Sequence, residues 1–257
     1  MQNQATSTDK IRSFLVLAAT IGMIVFNWLA ATGGLNGIQT GDISDKYPTP
    51  VTPSGYAFSI WTLIYIGLIA FSIYQLLPAN LARFRSVRSL YILSCALNCA
   101  WLYFWHGDQI VICFAIIAAL WVVLFFICYL LRKSASTKEF WLAKSPFGLY
   151  FGWITAATLV NLAVMLVYLK IEISTFAWSF IGVGLILFAA ALGVLMRYRL
   201  INYLYPLAIA WALTAIGVKQ SGQTLIVSAA AVGTIACLIA AVSFVMDLPY
   251  TGKPAKE

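Results

Sequence analysis

Residues 109–131 read QIVICFAIIAALWVVLFFICYLL, 23 positions without one Asp, Glu, Lys or Arg, held between Asp108 and Arg132. As an α-helix rising 1.5 Å per residue the stretch is about 34 Å long, enough to cross a hydrocarbon core of about 30 Å. Working outward, further apolar runs bounded by charge, proline or glycine lie at 13–32, 53–77, 89–106, 145–169, 176–196, 203–218 and 223–246. With the first stretch they predict an all-α integral membrane protein of about eight transmembrane helices. The run at 203–218 is the shortest and carries Pro206 near its start, a place where a helix tolerates proline.

Composition agrees. Of 257 residues 62% are hydrophobic and only 9% are charged, against about 25% charged in soluble domains. A soluble enzyme, a disordered chain and a secreted disulfide scaffold are thereby excluded. Cys95, Cys99, Cys113, Cys128 and Cys237 all lie in apolar runs, so they read as small packing residues rather than as zinc ligands or disulfide partners. Met1 to Arg12 followed by an apolar run has the outline of a signal peptide, but the run is too long and lacks a clear cleavage site. It is expected to be a retained first helix.

The net charge of +8 does not point to nucleic acid, because the basic residues sit in short gaps instead of on one arm or face. They point to the bilayer. With the N-terminus in the cytoplasm, 13 of the 16 Lys and Arg fall on the cytoplasmic side, and only Lys46, Lys170 and Lys219 fall opposite. The positive-inside rule then predicts a multi-pass protein of the bacterial inner membrane with both termini cytoplasmic. The segment Gly33 to Thr52, with Asp42, Asp45, Lys46, Pro48 and Pro50, becomes an ordered external loop or lid.

No charged residue falls in the middle of a predicted span, which argues against an ion-coupled carrier and against acid/base or metal catalysis. The one histidine, His106, stands at a helix end beside Gly107 and Asp108 and reads as a capping or solvent-facing group. Phosphate loops, nucleophile elbows and zinc motifs are absent. The final helices offer no lysine for a retinal Schiff base. The chain is expected to be no enzyme, with no catalytic residues, metal or cofactor.

What the spans do hold is amide and aromatic. Phe58, Trp61 and Tyr65 follow at three and four residues, as do Asn98, Trp101 and Trp105; Trp153, Ala157 and Asn161 follow at four and four, with Tyr150 three before. Each set lies on one helix face. Counting 1.5 Å per residue, Trp61, Asn98 and Asn161 each lie about 12 Å from the external end of their span, which places them in one layer. Two readings stand side by side. The asparagines staple helices and the tryptophans form an interfacial belt, which suits Trp28, Trp105, Trp141 and Trp178 near predicted ends. Alternatively Trp61 and Trp153, more than two turns inside, line a flat apolar slot for a planar hydrophobic ligand.

Three segments resemble the TspO/MBR family, the tryptophan-rich sensory proteins related to the mitochondrial translocator protein. Thr52 to Tyr65 (TPSGYAFSIWTLIY) is similar to the family's proline-rich approach to its second helix, Leu97-Asn98-x-x-Trp101 to its Leu-Asn-x-x-Trp, and Trp153 with Asn161 to a helix-five tryptophan followed eight residues later by asparagine. Tyr56 and Met165 stand where many members have tryptophan. The resemblance implies a five-helix TspO-like core over residues 9–170, three additional transmembrane helices over 171–248 and a cytoplasmic tail at 249–257. It implies a pocket closed by the loop between the first two helices, taking tetrapyrroles such as protoporphyrin and other porphyrin-like or sterol-like apolar ligands. The ligand-binding residues carried over are Tyr56, Phe58, Trp61, Tyr65, Asn98, Trp101, Trp153, Ala157 and Asn161. Leu166, Tyr168 and Lys170 fit the loose cholesterol-recognition pattern, although anchoring is the simpler role for them. Family members often pair through helix faces to form a homodimer; no decisive small-residue motif for that stands out here. The expected function is that of a membrane binding protein, a sensor or facilitator. The alternative is a transport component, either a carrier or a permease-like partner of an ATPase.

Overall fold

A computed structural model describes residues 5–134 and 136–243. The expected tail at 249–257 and the last residues of the eighth predicted span lie outside them. Among the described residues all regular structure is helical.

Helix α1 (Ser7–Ala31) begins six residues before the apolar run does. The Thr6 hydroxyl accepts from the Asp9 backbone N–H at 3.2 Å, and the Asp9 carboxylate accepts from the Thr6 N–H at 2.9 Å, the reciprocal capping box. Asp9 also takes both nitrogens of Arg85, at 2.8 and 2.5 Å. That pair draws Arg85 into the start of α4 (Arg85–His106), four residues earlier than apolarity alone places it. Between them lie the short α2 (Thr40–Lys46) and α3 (Ile60–Tyr74), the latter entered through a 3-10 turn at Gly55–Ser59.

The chain continues through α5 (Ile110–Leu130) and α6 (Ser145–Tyr168), which is led in by a single turn at Thr137–Glu139 and a π turn at Phe140–Lys144. Then come α7 (Thr175–Leu200), α8 (Leu204–Lys219) and α9 (Thr224–Val242). Seven of the helical segments are long and apolar enough to cross a membrane, and α8, at 16 residues, is the shorter apolar helix. Its length is explained by its place. Tyr205, Ala208, Ile209, Ala212, Leu213 and Ile216 are buried among α6, α7 and α9, so protein rather than lipid covers much of it.

Helix α6 is the centre of the bundle, touching α3, α5, α7 and α8. Its contact with α8 is set by two glycines four apart. A Cβ on Gly152 would stand 2.3 Å from the Tyr205 carbonyl oxygen, and one on Gly148 would stand 2.1 Å from the Asn202 side chain. This is the small-residue spacing that lets membrane helices approach closely, used here within one chain. The apolar core is continuous from Val16 on α1 to Cys237 on α9. All five cysteines are free and helical, as packing residues are.

The two ends of the bundle differ in chemistry. At one end Arg88 is fully buried, donating to Gln75 Oε1 at 2.7 Å and to the Leu81 carbonyl at 2.6 Å. Nearby Arg83 pairs with Glu139 at 2.5 Å, and Lys144 donates to the Arg132 carbonyl at 2.7 Å. At the other end lie the segment Gly33 to Thr52 and the links between α4 and α5, α6 and α7, and α8 and α9.

Candidate functional site

The segment between α1 and α3 does form a lid, and the end of α4 holds it down. The Trp105 indole donates to the Thr40 carbonyl at 3.1 Å, His106 Nε2 meets the Thr40 hydroxyl at 3.2 Å, and the Asn36 amide donates to the His106 carbonyl at 3.2 Å. One turn on, Asp108 pairs with Lys46 and accepts from the Tyr47 hydroxyl at 2.7 Å. Burial on its own would raise the Asp108 pKa, but the hydrogen bonds from Lys46 and Tyr47 outweigh it and hold the carboxyl below its usual value; the same bond raises that of Lys46. Tyr47 also meets the edge of Tyr168 at the end of α6, with 5.9 Å between ring centroids. Tyr168 thus serves the lid.

These contacts correct two sequence expectations. His106 is neither solvent-facing nor a simple cap, since it is only 7% exposed and belongs to the lid clasp. Trp105 is 3% exposed and stacks on Trp101 with 5.6 Å between centroids, so it is not a belt residue. The lid covers the end of α4 and replaces the membrane interface there. Trp28 and Trp141 are exposed at the surface, as belt residues are.

Under the lid the aromatic stripes of α3, α4 and α6 converge. Trp61 stacks on Tyr65 (5.5 Å between centroids) and meets Tyr150 and Trp153 edge-on at 5.7 and 6.3 Å; Phe58 meets Trp153 edge-on at 6.0 Å. Between them is a slot of about 40 Å³ whose walls include Phe58, Trp61, Trp101, Trp105, Trp153, Ala157 and Asn161, with Ser44 from the lid and Ala212 and Ile216 from α8. Six of the nine residues expected at a ligand site meet here.

The other three fall elsewhere. Tyr65 joins Phe58 and Trp61 on the wall of a neighbouring cavity of about 320 Å³ between α1 and α3. Asn98 lies behind the slot, fully buried. Tyr56 stands apart, 42% exposed and edge-on to Trp211 of α8 at 5.4 Å. A third cavity of about 310 Å³ under the lid is lined by Thr40, Asp42, Pro53 and again Phe58. Phe58 therefore borders all three spaces, and Trp61 borders two.

The amides mainly bind one another and the aromatic hydroxyls. Asn27 of α1 is the hub: it donates to Asn98 Oδ1 at 2.7 Å and accepts from the Tyr65 hydroxyl at 2.7 Å, while Asn98 donates on to the Tyr150 hydroxyl at 3.2 Å. Asn161 accepts from the Trp101 indole at 3.1 Å and donates to the Ala157 carbonyl at 2.9 Å. Helices α1, α3, α4 and α6 are thus stapled by amide and hydroxyl groups, and the slot they enclose presents mostly ring faces and aliphatic carbon. Its chemistry suits an apolar planar group better than a polar one.

Sequence reasoning missed Asn27 and Trp105. The signal for Asn27 was a lone amide between Met23 and Ala30, the same kind of signal that singled out Asn98. For Trp105 the three-and-four spacing was the right guide and depth was the wrong one.

Neither a curated protein nor a solved structure matches the chain. A family model described as TSPO-like protein matches residues 13–244, a range that runs from within α1 through α9, the last three helices included. That breadth covers well over half of the chain and includes the aromatic stripes, the lid and α7 to α9 together, so the chain belongs to the TSPO-like family.

Proposed function

We propose that the protein binds a planar, mostly apolar ligand of the tetrapyrrole type in the aromatic slot beneath the lid, as a sensor or facilitator and not as an enzyme. Membership in the TSPO-like family makes it a membrane protein of the ligand-binding, sensory kind; the ligand class and the site are the further step. The observation that carries the step is the meeting of five large aromatic rings, Phe58, Trp61, Trp101, Trp105 and Trp153, around one space.

At about 40 Å³ the slot is far below the roughly 300–1,000 Å³ of a drug-sized site. Rotation of Phe58 and Trp61 would join it to the adjoining cavities of about 320 and 310 Å³, which brings the space into that range. Ligand entry therefore goes with movement of these two rings, and the clasp from Trp105 to Asp108 sets how readily the lid yields. The basic end of the bundle faces the cytoplasm of a bacterial cell and the lid faces outward. The buried Arg88 and Gln75 network closes the basic end, which favours binding over passage through the bundle.

Titration of purified protein with protoporphyrin, followed by the shift of the porphyrin absorption band, tests the reading. A Trp153→Ala, Asn161→Ala double variant should bind at least tenfold more weakly than wild type, and Trp141→Phe at the surface should bind equally. Equal binding by the double variant would remove the site assignment.

A further inference from the structure

A further cavity of about 830 Å³ opens at the lid end, on the side of α7, α8 and α9. The lid supplies one wall, with Asp45 and Pro50. Trp178 of α7, Lys219 at the end of α8, and Gln220 and Gln223 in the link to α9 supply the rest.

Two features of the lining select a ligand. First, the lining residues include one carboxylate and one ammonium, Asp45 and Lys219, whose charges cancel. A net anion or a net cation gains one partner and is repelled by the other. Second, the two charges pair across 3.0 Å while 53% and 42% exposed, and such exposed pairs are worth about 0–1 kcal/mol. They separate at little cost, and each is then free to meet a ligand group of opposite sign. The walls add apolar surface from Pro50, Trp178 and Ile226 beside amide groups from Gln220 and Gln223.

We infer that this cleft binds a compact zwitterion of the ammonium-phosphate type, its ammonium on Asp45 and its phosphate on Lys219, with the adjoining carbon chain on the apolar wall. A phospholipid headgroup and free glycerophosphoethanolamine, both phosphodiesters with one negative and one positive charge, share that chemistry. The cleft stands where α7 and α9 begin and α8 ends, at the end of three membrane-length or apolar helices, where a headgroup would have access. It also gives the last three helices a task of their own. Occupancy bears on the lid, because Asp45 lies in α2 and Gln220 donates to the lid carbonyls of Thr49 and Thr52 at 3.0 and 3.3 Å.

The test is calorimetric titration of the purified full-length protein with dihexanoyl phosphatidylethanolamine, with free glycerophosphoethanolamine and with dihexanoyl phosphatidylglycerol. Saturable binding of either zwitterion, at least tenfold tighter than the net-anionic lipid, is expected. Binding of the lipid alone identifies a headgroup site, and binding of both identifies a site for the free zwitterion as well. An Asp45→Asn, Lys219→Gln variant should lose tenfold or more, and the charge-swapped Asp45→Lys, Lys219→Asp variant should return to within about threefold of wild type. The swap also shows that the fold survives changes at these positions. No binding of either zwitterion, equal binding of phosphatidylglycerol, or full binding by the neutral variant would overturn the inference.

Discussion

The seam between α1, α3 and α4 and the seam between α6 and α8 solve the same problem in opposite ways. In the first, large side chains hold the helices: the Asn27, Asn98, Tyr65 and Tyr150 network, and further toward the basic end Thr20, whose hydroxyl meets Ser72 at 2.6 Å and Tyr91 at 2.7 Å. In the second, glycine lets α6 come close: Gly152 lies against the Tyr205 backbone carbonyl, and Gly148 against the Asn202 side chain just before α8. A seam of rings and amides has side chains that can rotate and leaves cavities along it. A seam of glycine against a backbone carbonyl and an Asn202 amide that is itself held by the Lys144 carbonyl at 2.7 Å leaves little to move. The proposed slot takes Phe58, Trp61, Trp101 and Trp105 from the side of the first seam, and its opposite wall, Trp153, Ala157 and Asn161 on α6, is backed by the second.

The comparison breaks most visibly at Gly152. Replacing Gly152 by Val puts a branched side chain where a Cβ already lies 2.3 Å from the Tyr205 oxygen, so α6 and α8 must part. Overpacking of this kind costs about 3 kcal/mol at the upper end of its usual range, and thermal unfolding of the detergent-solubilised protein should show the loss. A variant as stable as wild type would mean that the seam is not rigid.

Next in size is Asn27→Ala. It leaves the Asn98 oxygen and the Tyr65 hydroxyl without their partner, at about 1 to 2 kcal/mol, and it should loosen α1 while the contact of α6 with α8 stays intact. Hydrogen exchange along both seams separates the two effects.

Phe58→Ala sharpens the comparison, since Phe58 borders all three spaces under the lid. Removing the partition should strengthen protoporphyrin binding by up to about tenfold, the equivalent of roughly 1.4 kcal/mol. Weakening as large as that expected of the Trp153→Ala, Asn161→Ala double variant would make Phe58 a ligand contact instead.

The smallest effect expected is on the lid clasp. The Asp108 pKa is lowered, so its contribution is complete above its unfolded value of about 3.9 and is lost as pH falls through the lower folded value. That of Lys46 is raised, so its part is complete below about 10.4 and is lost as pH rises through the higher folded value. The Asp108 and Lys46 contributions therefore predict that exchange at residues 40–47, after correction for intrinsic rates, quickens below about pH 4 and above about pH 10. Asp108→Asn should abolish the acid limb.

Much of this was legible in the sequence because membranes punish polarity locally. Charge-free runs of about 20 residues place the spans, and three-and-four spacing places Trp61, Trp101 and Trp153 on facing sides. What was hidden depends on distant partners. Helix α1 starts at Ser7 because Asp9 finds Arg85, 76 residues away. Trp105 is interior because a separate loop folds over it. Gly148 and Gly152 carry no partner in their own neighbourhood of the sequence, so their use against α8 rather than against a second copy could be read only from the fold. Tyr56 lies in the stretch most similar to the family, yet it faces Trp211, in a helix outside the five-helix core that the resemblance implied.

The central claim is that the aromatic slot opens to hold a planar ligand while the seam of α6 and α8 stays fixed. A structure of the protein bound to protoporphyrin tests it most directly. The ring should lie between Trp61 and Trp153, with Phe58 rotated away from the slot and the contacts of Gly148 with Asn202 and of Gly152 with Tyr205 unchanged. A porphyrin seated outside the lid or against the lipid-facing surface, with Phe58 and Trp61 where they stand now, would contradict it.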